Sequence, residues 1–520
     1  MDATLDTITL DTNSGPLTGS KSDTAQAFLG IPYAAPPVGA RRFRAPEAHP
    51  GWSEPLDCTG WRASAPQNPP LTMMAGLNVG PTDEDCLHLN IWTPRADDEK
   101  RPVMVWIHGG AFYQGSGSQA LYRAGRMAHH GDVVVVTINY RLGALGFLAL
   151  GHHTDGAIPA SGTEGLLDQI AALRWVRDNI AAFGGDPDNV TIFGESAGGA
   201  SVGCLLAMPG AKGLFKRAIA QSGACHVGLD PELASRTARL FAEETAKLEI
   251  SDMQTAPVEA LLKAQANLLA RAAQDRDIEL AMLPFQPVID GEHLPGFPID
   301  RVRQGSADDI DVIVGTTLDE WTFFGGIDPK IAALSEDQLE RRVARALPDQ
   351  DPRGLIDAFR AGLQDRGGEP TPGDILIALQ TDRIFRVPAQ RLLEALEARG
   401  NRGRGYVFTW PSPAFEGRLG ACHAIEIGFI FGTYALPNAD QFFGGGPDAD
   451  ALSAAIMEGW VNFARSGAPS GGACPDWERY DRDRRVMMEF GAPVRARLDP
   501  YIRERMIFEG VSDAELGMVR

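Results

Sequence analysis

Apolar residues fall along this chain in two alternating patterns. Short, near-continuous apolar runs recur in "RPVMVWIHGG" (101–110), "GDVVVVTINY" (131–140), "VTIFGE" (190–195), "RAIAQSG" (217–223) and "DVIVGTT" (311–317). Longer segments with helical spacing lie among them. In "TEGLLDQIAALRWVRDNIAAF" (163–183), Leu166, Leu167, Ile170, Leu173, Trp175, Val176 and Ile180 recur near 3.6-residue spacing, which predicts an amphipathic helix. "GGDPDN" stops it, and "ASVGCLLAM" (200–208) predicts another. Buried strands between helices predict an α/β fold, with a mostly parallel central sheet covered by helices on both faces.

Farther along, helix formers dominate. "PELASRTARLFAEETAKL", "APVEALLKAQANLLARAA" and "RVPAQRLLEALEARG" predict helical insertions over about 230–290 and 325–400. "ALPNADQFFGGGPDADA" (435–451) reads as a long loop. Neither a repeat nor a linker divides the chain, so residues 1–520 are expected to form a single catalytic domain with insertions.

One strand ends in an unusual way. "VTIFGESAGG" (190–199) runs from apolar residues into Gly194, Glu195, Ser196, Ala197 and Gly198, a G-x-S-x-G pattern with a strand before it and a helix after it. A sharp strand-to-helix turn would lift the Ser196 hydroxyl above the sheet edge. Side chains two before and two after would collide there, and glycine removes the collision. The plainer reading is a tight turn with a capping serine.

A serine nucleophile needs a base. On such a scaffold the order is Ser, acid, His, and three histidines follow Ser196: His226, His293 and His423. His226 lies too close to leave room for an acid-bearing strand, and His293 sits in the turn-rich "DGEHLPGFP". His423, in "GACHAIEIGFIFG", is favoured by elimination. The acid should follow a strand. "DVIVGTTLDEW" offers Asp319 and Glu320, which the pattern alone does not separate, and "PVIDG" offers Asp290. Backbone donors for an oxyanion need small side chains, which Gly109, Gly110 and Ala111 supply after "WIH", with Ala197 after the serine. No Lys, Ser or Thr follows in Walker spacing, so a phosphate cradle is disfavoured. His108 precedes the serine and reads as structural.

Charge and cysteine content narrow the partners. A net charge of −20 argues against nucleic acid and against a polybasic membrane anchor. Apolar runs such as "VVVV" are far too short to span a bilayer. Six cysteines show no zinc spacing and no disulfide framework, and the acidic, polar start "MDATLDTITLDTNSG" lacks the features of a secretory signal. The expected location is cytoplasmic. The expected partner is a small-molecule substrate, without nucleic acid, membrane, metal or organic cofactor.

Three long motifs then carry a resemblance. "EDCLHLNIW" (84–92), "NYRLGALGFL" (139–148) and "FGGDPDNVTIFGESAGG" (183–199) closely resemble the type B carboxylesterases, bacterial para-nitrobenzyl esterases among them. The likeness runs from "FLGIPYAAPPVGARRFRAP" (28–46) to "PDWERYD" (475–481). It implies an α/β-hydrolase fold and a triad of Ser196, Glu320 and His423, with Glu320 rather than Asp319 as the acid. It further implies an oxyanion hole at Gly110, Ala111 and Ala197, a supporting carboxylate at Glu195, and a buried serine behind the triad at Ser222.

The chain departs from the family at several points. Trp321 follows the acid where relatives usually carry Gly, Thr163 replaces Asn, and Ala65 stands where Cys86 would find its disulfide partner, leaving Cys58 as a substitute or the pair reduced. The implied function is a serine carboxylesterase acting on esters of small to medium uncharged alcohols. An amidase or carbamate hydrolase with the same triad, or a non-catalytic binding protein of the fold, are the alternatives. Expected walls of the pocket are Tyr113, Trp321, Phe323, Phe324 and the loop 71–81, whose Met73 and Met74 would adapt to substrate.

Overall fold

The five apolar runs lie side by side in one sheet, extended by two further parallel strands. The computed structural model describes residues 6–69, 78–274, 283–400 and 402–516. Its parallel block comprises β1 (Arg101–Ile107), β2 (Val134–Ile138), β3 (Gly185–Glu195), β4 (Arg217–Gln221), β5 (Asp311–Thr317), β6 (Gly403–Phe408) and β7 (Val486–Phe490). The spatial order is β2-β1-β3-β4-β5-β6-β7, every neighbouring pair parallel. Antiparallel strands continue both edges: His88–Thr93 beside β2, leading on to Gln26–Pro32, Gly15–Lys21 and Thr7–Thr12, and Arg495–Leu498 beside β7. Every residue of β1 and β2 is buried. That is the signature of strands covered on both faces, where the apolar run cannot alternate with polar residues.

Alternation sorts those side chains between two cores. Val103, Val105 and Ile107 of β1 enter one, while Met104 and Trp106 enter the other. Helix α1 (Glu164–Asn179) buries Leu166, Ile170, Leu173 and Val176 in the first. A 3₁₀ turn, Ile180–Phe183, closes it, followed by Gly184 at φ +77°, a left-handed position suited to glycine. The predicted strand at 190–195 is the buried end of a longer β3, whose residues 186–189 bulge between its pairings with Arg101 and Val103.

Helix α2 (Ala197–Ala207) follows β3 directly. The insertions hold α3 (Pro231–Lys247) and α4 (Val258–Gln274), then α5 (Glu336–Ala346), α6 (Pro352–Asp365), α7 (Pro372–Thr381) and α8 (Val387–Ala398). The second group carries a satellite core in which Leu339, Val343, Phe359 and Leu379 pack with Phe508 and Val511 from near the chain's end.

The stretch 435–451 is not the long loop its Gly and Asn content suggests. It holds a short helix, Asp440–Phe443, and the first turn of α9 (Pro447–Ser466). Pro447 sits at the helix start, where its missing N–H costs nothing, and Leu452, Ile456, Trp460 and Phe463 carry the buried face. Cys58 and Cys86 are both buried as free thiols. Among the described residues no helix is long and apolar enough to cross a membrane.

The loops after β1, β3, β4, β5 and β6 all emerge at the carboxyl edge of the sheet. Ligands of open α/β sheets bind at that edge, and there the sequence-predicted residues meet.

Candidate active site

Ser196 stands between β3 and α2 with φ 58° and ψ −123°, a backbone conformation that costs about 1–3 kcal/mol for a non-glycine residue. Its surroundings over-determine it. The Ser196 amide donates to Gln221 O at 2.9 Å, and its carbonyl accepts from the Ala200 amide at 2.8 Å. A Cβ on Gly194 would stand 2.6 Å from Gly198 C, and one on Gly198 would stand 2.0 Å from Ile107 O, so neither position admits a side chain. The capping reading fails, because the Ser196 side chain makes no cap hydrogen bond to α2. Ser196 stays half-exposed while every other residue from 191 to 200 is buried.

The imidazole arrives from the loop after β6 and the acid from the loop after β5. His423 Nδ1 lies 2.6 Å from Glu320 Oε2, across 103 residues of sequence. Facing a carboxylate, Nδ1 carries the proton and Nε2 is left for the cavity side. Glu320 is fully buried, and its Oε1 accepts from the Thr317 amide at 2.7 Å. Asp319, its unresolved rival in the sequence, does different work: it accepts from the Ala421 amide at 2.9 Å and so ties the imidazole loop to the acid loop. Asp290 accepts the amides of Glu292, His293 and Leu294 and shapes its own turn. His226 lines the cavity, but its Nε2 lies 3.1 Å from Asp513. His108 is buried and stacked on Tyr140 at 4.4 Å between ring centroids, consistent with a structural role.

Three carboxyl groups crowd the imidazole. Besides Glu320, Glu195 Oε1 lies 3.1 Å from Nε2, although neither atom has a hydrogen-bond partner in that geometry. Glu426 is fully buried three residues beyond His423, at the start of a short helix (Glu426–Phe431), with Oε1 accepting from Gln221 Nε2 at 3.3 Å. Burial alone would lower the imidazole pKa, but Glu195 and then Glu320 outweigh it and hold His423 up at about 9. Burial pushes the Glu195 and Glu426 carboxyls upward in turn, and neighbouring carboxylates add to it. Sequence reasoning passed over Glu426. Its signal was there: one acidic residue inside the apolar run "AIEIGFIF".

On the far side of Ser196, Gly110 adopts φ +112° and Ala111 φ +54°, with the Gln114 amide folding back onto Gly110 O at 2.9 Å. A Cβ on Gly110 would stand 2.2 Å from Gln114 O, and one on Gly109 would stand 3.0 Å from Ser196 Cβ. Glycine is thus what allows this loop to approach the serine. Among the described residues, the amides of Gly110, Ala111 and Ala197 donate to no protein acceptor, and all three residues border the same cavity.

That cavity has a volume of about 530 Å³. Ser196, Glu195, His423 and Ser222 border it, and so do Tyr113, Trp321, Phe323 and Phe324. Ser222 is buried, with its Oγ unpaired among the described residues. Phe324 lies 5.2 Å from the His423 ring and 4.8 Å from the Trp321 ring, so the two form an aromatic wall of the cavity. Phe385, which the sequence did not single out, sets its ring 5.0 Å from the His423 ring at a tilt of 46°. Of the loop 71–81, Val79 reaches the cavity, whereas Met73 and Met74 lie outside the described residues. No Lys or Arg lines the cavity among the described residues.

Comparison with known proteins shows the family. The model of the "Carboxylesterase family" matches residues 6–505. The para-nitrobenzyl esterase of Bacillus subtilis (strain 168) is 36% identical over 500 residues, covering 95% of this chain and 97% of that protein. The phenmedipham hydrolase of Pseudarthrobacter oxydans is 35% identical over 491 residues, covering 92% and 94%. Among solved structures, a Geobacillus stearothermophilus carboxylesterase superposes with a TM-score of 0.84 at 36% identity, covering 96% of this chain and 100% of that one.

Proposed function

The chain belongs to the carboxylesterase family and is a carboxylic ester hydrolase of the α/β-hydrolase fold, and from that premise we propose that Ser196, His423 and Glu320 carry its reaction. His423 Nε2 takes the Ser196 proton as Oγ attacks the ester carbonyl carbon. Glu320 fixes the tautomer through Nδ1 and stabilises the imidazolium that forms. The amides of Gly110, Ala111 and Ala197 receive the oxyanion, each donor worth about 2.7–4 kcal/mol in related chemistry. His423 then returns the proton to the departing alkoxide, and water, activated by the same imidazole, releases the acid from the acyl-serine. Glu195 supports the imidazole from beside Nε2, and Ser222 lies buried against the same cavity.

The single observation carrying this reading is the 2.6 Å contact of His423 with buried Glu320 beside a serine held on a strained elbow. Substrates are uncharged esters of small to medium alcohols. An aromatic-walled cavity that no Lys or Arg lines among the described residues favours uncharged groups over a charged one that would have to be desolvated. We extend the proposal to one catalytic domain over 1–520 and, from six free cysteines, to a reducing cytoplasmic location. Steady-state hydrolysis of a graded panel of uncharged esters and their matched amides tests the reading. Ester turnover that vanishes in Ser196→Ala is expected, and a panel in which amides outrun esters would overturn it.

A further inference from the structure

We propose that Arg386 is a positioning residue for the acid–imidazole pair, acting from a π-helical turn through the backbone of the acid loop. The inference rests on the assignment of Glu320 and His423 above.

Between α7 and α8 the chain widens into a π-helical turn, Asp382–Arg386. Such turns insert an extra residue and re-aim its neighbours, and they recur at functional sites. Here two consecutive side chains reach the two halves of the pair. Phe385 packs a tilted ring 5.0 Å from the His423 ring. Arg386 is buried at 7% exposure and sends Nη2 to Leu318 O at 2.6 Å, in the loop that carries Glu320. Its Nη1 donates to Asp382 within the same turn, and its guanidinium lies 4.7 Å from the Tyr501 ring centroid. A second tie lies at the start of the turn, where the Trp321 amide donates to Thr381 Oγ1 at 3.0 Å. The acid loop is therefore gripped on both sides of Glu320 by one turn.

A buried guanidinium is expensive to desolvate, and a helix could be closed here without one. What it supplies is a fixed fork. One nitrogen meets the anchoring carboxylate and the other meets a carbonyl two residues before the acid. A lysine ammonium has neither the reach nor the planarity to do both. Arg386 touches neither substrate nor the reacting atoms.

Arg386→Lys keeps a charge opposite Asp382, and Arg386→Met with Asp382→Asn removes both charges together, so at least one folded variant is available. In each, kcat for an activated ester should fall about ten- to a hundredfold while KM stays within about twofold, because the acid is displaced and binding is not. The loss should vanish in a Glu320→Gln background, since a misplaced acid matters only when the acid is present. A kcat loss that persists in that background, a change confined to thermal stability or KM, or unchanged kinetics in both variants would each overturn the inference. If Glu320→Gln is itself silent, the triad assignment fails first and this inference falls with it.

Discussion

The two halves of the site are built by different physics. The nucleophile elbow is local. Five consecutive residues supply it, with Gly194 and Gly198 lacking the side chains that would strike backbone, and the adjoining backbone of Ile107 and Gln221 completes the hold on Ser196 at φ 58°. The acid–imidazole pair is assembled. Glu320 and His423 come from loops 103 residues apart, and bonds to Thr317, Ala421 and Leu318 hold those loops in place. Steric necessity governs the first region, and buried electrostatics the second. The first should therefore fail abruptly on substitution, and the second by degrees.

Four measurements sharpen that contrast. Removing the hydroxyl is the largest change: Ser196→Ala should lower kcat by about 10⁵–10⁶-fold with little effect on KM, read in steady-state assays of an activated ester. Glu320→Gln should cost about 10⁴-fold in kcat, because the amide favours the wrong imidazole tautomer. Gly110→Ala should cost about 10²–10³-fold, as its Cβ meets Gln114 O at 2.2 Å and pushes the oxyanion donors aside.

The smallest effect is a shift in pH dependence. Only neutral His423 can accept the serine proton, and carboxylates raise its pKa, so kcat/KM should climb with pH through a midpoint well above 6.5, towards about 9. Glu195→Gln withdraws the foremost of the charges that raise it, so the rising limb should move to lower pH. A limb that stays in place would separate Glu195 from the imidazole.

The same contrast explains what could be read from the sequence. The elbow was legible because the glycines that permit it lie within five residues. The strands β1, β2 and β5 were legible because burial on both faces leaves continuous apolar runs. His423 could be reached by elimination, but Asp319 and Glu320 could not be separated by pattern, since they are adjacent carboxylates that differ in which partner they meet once folded. Resemblance supplied that choice. Glu426 and Phe385 were missed because their roles come from tertiary placement beside the imidazole. The π-helical turn was hidden inside what reads as an ordinary helix around Pro388. Gly and Asn misled the reading of 435–451, where a proline-started helix wins through its buried face.

The central claim is that one serine is activated by one imidazole. Incubation with a fluorophosphonate, followed by intact mass and peptide mapping across a pH series, tests it most directly. The account predicts a single adduct on Ser196, formed faster as pH rises and suppressed in His423→Ala. An adduct on another residue, or labelling of Ser196 that is undiminished without the imidazole, would contradict it.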